Sequence, residues 1–125
     1  MSRTSSQASL AERCYASAHQ ALATGDALNA ERLFALMAIL LPQDERPWIG
    51  LASARERRAD WRAAAGLYQV GSALAPRSAW CQLGRARALR RLGRNGEAER
   101  SLDQAEELAE DRTLLAAIAQ ERNVA

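Results

Sequence analysis

Residues 45–78 read ERPWIGLASARERRADWRAAAGLYQVGSALAPRS, and this stretch decides the fold. It contains two runs of helix-forming residues, 45–58 and 61–74, with a very short break between them. Pro47 falls in the first turn of the first run, where its missing N–H costs little. Asp60 stands where an N-cap would begin the second run. The stretch therefore predicts a tight helical hairpin.

The pattern of this hairpin recurs at one fixed spacing on both sides of it. Pro42 and Pro76 are separated by this spacing, and so are the aromatic residues Phe34 and Tyr68. Small residues recur at the same spacing in two series, Ala18, Ala52 and Ala86, and Ala30, Ala64 and Ala98. Three units follow one another without an insertion: 11–44, 45–78 and 79–112. A helical hairpin of about 34 residues with this placement of small, aromatic and proline residues is the tetratricopeptide pattern.

This frame predicts an all-α fold in which three tetratricopeptide hairpins stack into a right-handed superhelical array. We expect residues 10–125 to form this domain and residues 1–9 to be a flexible N-terminus. Ser9 begins a Ser-Leu-Ala-Glu run with capping-box spacing, so the first helix is expected to begin there. Residues 93–96 are expected to form the third turn. A last helix over about 112–122 is expected to cap the open end of the stack.

The composition restricts the partners that the chain can have. All 17 basic residues are Arg, against 15 acidic residues, so the net charge is only +2. So small an excess gives little long-range attraction for nucleic acid or for anionic lipid. The start of the chain is polar, and the longest apolar run, residues 33–41, is too short for a membrane span. We therefore expect a cytoplasmic protein that binds no nucleic acid and inserts into no membrane.

The sequence contains few residues that could act in catalysis, bind a metal ion or form disulfides. Two cysteines, Cys14 and Cys81, form no disulfide framework, and with one His they cannot complete a zinc site. The chain also lacks a glycine-rich phosphate loop and a set of residues for nucleophilic catalysis. We therefore expect no cofactor, no metal ion and no enzymatic activity.

The first helices of stacked hairpins line a concave face, with positions 2, 5, 9, 12 and 13 of each unit directed into it. This rule predicts a peptide-binding groove formed by Tyr15, His19, Ile49, Ser53, Glu56, Trp80, Leu83, Arg87 and Arg91. The same positions include Glu12, Leu22, Arg46 and Arg90. A groove with an apolar floor and a basic end suits an extended segment whose hydrophobic side chains enter pockets.

Several of these residues also have a structural interpretation. Trp80 could cover the end of the array as easily as bind a ligand, and His19 could make an ordinary polar contact. Arg87 and Arg91 belong to an Arg-rich helix that precedes an acidic one, residues 97–110. The arginines could clamp a carboxylate of a ligand, or the two helices could neutralise each other.

The second unit also resembles a known family. It carries Trp48, Ile49 and the run Gly50-Leu51-Ala52-Ser53-Ala54-Arg55, and its second helix carries Tyr68-Gln69-Val70-Gly71-Ser72. These residues resemble the SycD/LcrH family of translocator chaperones of bacterial type III secretion, in register from about residue 14 to 109. The resemblance implies a chaperone that binds an extended stretch of a hydrophobic translocator in its groove.

Other functions and assemblies stay open at this point. Only residues 1–9 precede the first repeat, whereas members of that family usually carry a longer N-terminal helical region that contributes to dimerisation. The chain could therefore guard a needle or early export subunit of the same apparatus, or serve as a general scaffold for acidic C-termini. A homodimer and a heterodimer with a partner subunit are both compatible with the sequence.

Overall fold

The computed structural model describes the backbone of residues 2–124 and the side chains of residues 5–124. This part of the chain forms seven helices: α1 (Ser2–Ala23), α2 (Ala27–Leu40), α3 (Glu45–Arg57), α4 (Trp61–Leu74), α5 (Ala79–Arg91), α6 (Asn95–Leu108) and α7 (Arg112–Arg122). The first six pair as hairpins, α1 with α2, α3 with α4 and α5 with α6. Successive hairpins meet where α2 packs on α3 and α4 packs on α5. The predicted all-α array of three hairpins is confirmed.

The turns within the hairpins share one conformation. Gly25 and Gly93 adopt left-handed backbone angles, with φ of 81° and 78°. Ala59 occupies the equivalent place in the second hairpin and adopts φ of 58°, which is strained for a residue with a Cβ. After each of the first two turns an aspartate caps the next helix, Asp26 accepting from the Asn29 N–H and Asp60 from that of Ala63. The repeat thus imposes a turn geometry even where the sequence lacks glycine.

Small residues allow the helices to approach closely. The recurring alanines at positions 8 and 20 of the three units are at most 1% exposed: Ala18, Ala52, Ala86, Ala30, Ala64 and Ala98. Gly84 lies directly beneath the ring of Tyr68, and Gly50 lies in the same way beneath the ring of Phe34. Both aromatic rings are buried, at 1% and 3% exposure. The core is therefore built from aromatic rings of one hairpin packed on the backbone of the next.

Two expected boundaries were wrong. The first helix begins at Ser2, so the flexible N-terminus predicted for residues 1–9 and the cap at Ser9 are not observed; Met1 lies outside the described residues. No Gly or Pro interrupts residues 2–9, so the helix anchored by buried Ala11 and Cys14 extends toward the N-terminus at little cost. The third turn is also shorter than predicted, because α6 already begins at Asn95 and includes Gly96.

The last helix continues the array. α7 packs on α6 and α5, as the first helix of a further hairpin would. Asp111 caps it by accepting from the Leu114 N–H at 2.8 Å. Its buried side chains are Leu114 and Ile118, which join the core cluster of the second and third hairpins. The predicted terminal helix over 112–122 is confirmed.

The close approach at Gly84 gives a stability prediction. A Cβ there would lie 2.3 Å from Cζ of Tyr68, whereas a Cβ at the exposed helical Gly66 meets nothing within 4 Å. We expect Gly84→Ala to lower the free energy of unfolding by about 2–3 kcal/mol through overpacking. We expect the control, Gly66→Ala, to raise it by about 0.5–1 kcal/mol. Urea denaturation measures both, and a neutral Gly84→Ala would contradict the close packing.

Candidate functional site

Side chains at the same position of successive repeats lie next to one another on α1, α3, α5 and α7, the first helices of the units. Position 5 is held by Tyr15, Ile49, Leu83 and Ala117, and position 9 by His19, Ser53, Arg87 and Glu121. The first two residues of each series line one cavity, and the last two of each series line another. Seven of the nine predicted groove residues thus line one of two cavities, and Glu56 and Arg91 line neither.

The first cavity lies between α1 and α3, above α2, and its volume is about 200 Å³. Its lining is largely apolar: Tyr15, His19, Leu22, Ala30, Glu31, Phe34, Arg46, Ile49, Gly50, Ser53, Ala54 and Arg57. The His19 ring stands edge-on to Tyr15, with centroids 4.5 Å apart, and edge-on to Phe34 at 5.9 Å. These three rings form an aromatic wall that an aliphatic side chain can pack against.

Arg46 closes one end of the first cavity. Its guanidinium donates to Glu12 Oε1 and to Asp44 Oδ1, both at 3.0 Å, and lies 4.6 Å from the centroid of the Tyr15 ring. Hydrogen bonding to Arg46 holds the pKa of the Asp44 carboxyl below its usual range. The charge of Arg46 is therefore already neutralised. Arg57, at the other end of the cavity, has no carboxylate within 4 Å among the side chains of residues 5–124.

Positions 12 and 9 of successive first helices differ among the three junctions. At the second junction, Glu56 at position 12 pairs with Arg87 at position 9 of the next unit, 3.3 Å apart. At the third junction, Arg90 pairs with Glu121 at 3.0 Å, with the charges exchanged. The first junction has Leu22 and Ser53 at these two positions, and neither carries a charge. Both line the first cavity, so uncharged side chains stand here in place of the ion pair.

Glu56 and Arg87 belong to a network at the middle of the groove. The Tyr68 hydroxyl donates to Glu56 Oε1 at 2.6 Å, and Arg87 Nη2 donates to the same oxygen. Burial, reinforced by the Glu56 carboxylate, raises the pKa of the Tyr68 phenol to about 12. Glu56, which was predicted to line the groove, therefore holds Arg87 and Tyr68 in place and lines neither cavity.

The second cavity lies between α5 and α7, and its volume is about 290 Å³. Trp80, Leu83 and Arg87 line it from α5, and α7 with the residues after it supplies Ala117, Gln120, Glu121 and Val124. Arg91 lines neither cavity, because its guanidinium lies over the Trp61 ring at 4.9 Å from the centroid. The structure thus separates Arg91 from the other predicted groove residues.

The arginines of α5 are only partly paired with carboxylates. Arg87 pairs with Glu56 of α3, and Arg90 pairs with Glu121 of α7 and Glu99 of α6. Arg85 donates to the Ser101 hydroxyl instead. The predicted neutralisation between α5 and the acidic residues 97–110 is therefore limited to the pair of Arg90 with Glu99.

Sequence reasoning missed some lining residues that the repeat frame could have indicated. Ala117 and Glu121 follow Leu83 and Arg87 by one full repeat, so the frame could have been extended into a fourth unit. Arg57 lies one helical turn after Ser53 and shares its helix face. Phe34, which the sequence analysis noted only for its spacing from Tyr68, is both buried and part of the first cavity.

These elements define a tetratricopeptide array whose first helices carry two cavities. Among solved structures, SycD of Yersinia enterocolitica in complex with a peptide of the translocator YopD has a TM-score of 0.74 and 21% identity, covering 89% of this chain and 91% of that one. PcrH from Pseudomonas aeruginosa has a TM-score of 0.77 and 22% identity, with coverage of 90% and 86%. The first tetratricopeptide domain of Spaghetti, bound to the HSP90 peptide SRMEEVD, has a TM-score of 0.74, 16% identity and coverage of 90% for both chains.

At these identities the likeness establishes the fold and confirms the tetratricopeptide prediction. No family model and no curated protein matches the chain. Within residues 2–124, every helix is too short or too polar to traverse a lipid bilayer.

The network around Tyr68 predicts a pH dependence of stability. Deprotonating a phenol whose pKa is about 12 is harder in the folded state than in the unfolded chain, where tyrosine titrates near 10. The contribution of the Tyr68 phenol to the free energy of unfolding is therefore complete below pH 10 and is lost as the pH rises through 12. We expect the wild type to lose about 2–3 kcal/mol more than Tyr68→Phe between pH 9 and pH 12. Urea denaturation at the two pH values measures this, and equal losses would contradict it.

Proposed function

We propose that this chain is a cytoplasmic chaperone of bacterial type III secretion. It binds an extended segment of a hydrophobic translocator in the groove of its first helices and keeps that client soluble and competent for export. The observation that carries the proposal is the first cavity, a largely apolar opening between α1 and α3 where positions 12 and 9 hold Leu22 and Ser53 instead of an ion pair. The likeness to SycD, whose solved complex holds a peptide of the translocator YopD, supports the same assignment.

The chemistry of the first cavity suits an aliphatic anchor on an extended chain. Tyr15, Phe34 and Ile49 offer apolar surface, while Ser53 and His19 offer polar atoms that can meet the ligand backbone. Burying an aliphatic side chain contributes roughly 1.5–3 kcal/mol. Ordering a disordered segment costs about 2–5 kcal/mol. A single anchor therefore gives weak binding, and a stable complex needs contacts beyond this cavity.

The proposal includes no catalytic step. The described residues assemble polar groups into ion pairs between helices, and the lone His19 contacts two aromatic rings. Binding and release of a client need only the groove, so we propose a non-enzymatic role.

A second candidate is a scaffold for acidic C-termini, which the likeness to the HSP90-peptide complex of Spaghetti supports at the level of fold. Such a clamp needs cations that are free to meet a carboxylate. Arg46, Arg87 and Arg90 are held by Glu12, Glu56 and Glu121. Arg57 is left as the unpaired cation of the first cavity within residues 5–124. One cation beside a largely apolar lining favours the first candidate. A chaperone for a needle or early export subunit differs from the leading proposal only in its client.

Co-expression with the translocators and needle subunits of the same genome tests the client. We expect the wild type to retain a translocator in the soluble fraction and to co-purify with it, as shown by intact mass. Ile49→Asp should reduce the recovered complex at least tenfold, because a carboxylate cannot be desolvated against an apolar anchor. Recovery of a needle subunit without any translocator would overturn the leading proposal in favour of the alternative client.

The matched control is Ile39→Asp, which makes the same chemical change on α2 at a side chain that is 77% exposed. It should leave the yield of complex unchanged. Thermal unfolding of both variants separates loss of binding from loss of fold. Equal loss of complex in two folded variants would show that the first cavity is not where the client binds.

A further inference from the structure

Two arginines at one rim of the groove take no part in its ion pairs. Arg57 and Arg91 are the last residues of α3 and α5, and they occupy position 13 of the second and third units. Both are exposed, and neither has a carboxylate within 4 Å among the side chains of residues 5–124. Arg46, Arg87 and Arg90, in contrast, are each bound by a glutamate. This rim therefore carries positive charge that is available to a ligand.

The end of the first cavity near Arg57 has more arginines than carboxylates. Glu31 is the acidic residue of the cavity lining, and it is bound by Arg55 at 3.1 Å and by Arg58. Asp60 lies 3.5 Å from Arg55. The two carboxylates are thus already engaged with two of the three arginines, and Arg57 is left over. An anionic group that reaches this end of the cavity meets an available guanidinium.

Arg91 is held in place by an aromatic ring. Its guanidinium lies over the Trp61 ring, 4.9 Å from the centroid. A guanidinium that lies over a ring keeps the N–H donors of its edge for another partner, and its fixed placement lowers the entropy lost on binding. Arg91 can therefore receive a carboxylate, although it lines neither cavity.

We infer that Arg57 and Arg91 together form a carboxylate site, which binds two acidic side chains of the extended client segment beside its apolar anchor. The inference rests on the proposed function, since it names a sequence property of the same client. Each guanidinium presents paired N–H donors that match the two oxygens of a carboxylate. The site adds polar contacts to the anchor, and it disfavours segments that carry basic residues at these two places.

The repeat sets the spacing of the two acidic residues. α3 and α5 contact each other, and packed helices lie about 8–10 Å apart, so residues at the same position of both helices have about this separation. An extended chain in the polyproline II conformation rises about 3.1 Å per residue and has three residues per turn, so residues i and i+3 face the same side about 9 Å apart. The acidic residue nearer the anchor should be its direct neighbour, because Arg57 lines the cavity that holds the anchor.

Synthetic peptides test this inference. The probe has eleven residues, blocked ends and leucine at its centre. Glutamate stands next to the leucine on both sides, and again four residues from it on both sides, so either direction of binding offers one pair at the required spacing. The other residues are Ser, Thr and Gly, and the relatives of the probe have glutamine at the two outer places or at all four. NMR titration of isotope-labelled protein at physiological salt measures each Kd.

Matched protein variants locate the contacts. We expect glutamate at the inner places, and then at the outer places, to strengthen binding about threefold each. Arg57→Gln should remove the inner gain and Arg91→Gln the outer gain, and both should bind the all-glutamine peptide as the wild type does. The control is Arg62→Gln, at an exposed arginine of α4 that also has no carboxylate within 4 Å in the described part of the chain. It should retain both gains, and thermal unfolding checks the fold of all three variants.

Each outcome decides between the two proposals. Equal Kd values for glutamate and glutamine peptides overturn the carboxylate site and leave the proposed groove function. Equal losses in Arg62→Gln show a general effect of net charge, and the inference is then wrong. It is also wrong if an all-glutamine peptide with a free C-terminus binds more tightly than the probe, because the carboxylate then belongs to a chain end. If no peptide shifts the resonances of Ile49, both proposals are overturned.

Discussion

The groove of this protein depends on how closely its helices can approach one another. Alanines at positions 8 and 20 of each unit are buried almost completely, and glycines at 50 and 84 lie beneath aromatic rings of the preceding hairpin. Larger residues at these places would push the hairpins apart and change the relative placement of their first helices. The identity of these small residues thus determines which side chains face one another across each junction.

Once the junctions are set, an ion pair joins the first helices at each of them, at different places. At the second and third junctions it joins position 12 of one unit to position 9 of the next, as Glu56 with Arg87 and, reversed, as Arg90 with Glu121. At the first junction it joins position 2 of both units, Glu12 with Arg46. Partly buried pairs of this kind add little net stability, because desolvation offsets much of their attraction. Their clearer effect is to place satisfied polar groups at the middle of the groove, whereas Leu22 and Ser53 leave the corresponding part of the first junction uncharged.

Most of the fold could be predicted from the sequence because each element recurs in three units, so a weak signal in one unit is supported by the other two. The turn at Ala59 could be predicted in this way, although alanine by itself does not indicate a turn. The start of α1 could not be found, because residues 2–9 contain neither a helix breaker nor a strong apolar period. The candidate site was harder to predict from the sequence than the fold. Position in the repeat indicates which side chains point toward the groove, but not which of them pair with one another. Glu56 and Arg87 became mutual partners, and Arg91 reached the Trp61 ring, because long charged side chains contact neighbours that only the tertiary structure supplies.

The far end of the groove differs from the near end in how firmly it is held. α7 buries only Leu114 and Ile118, and it is otherwise fastened by ion pairs that involve Glu121 and Arg122. Elements with few buried apolar contacts open at lower free energy than the core. α7, and with it the cavity that it shares with α5, should therefore open at lower free energy than the three hairpins on which it packs.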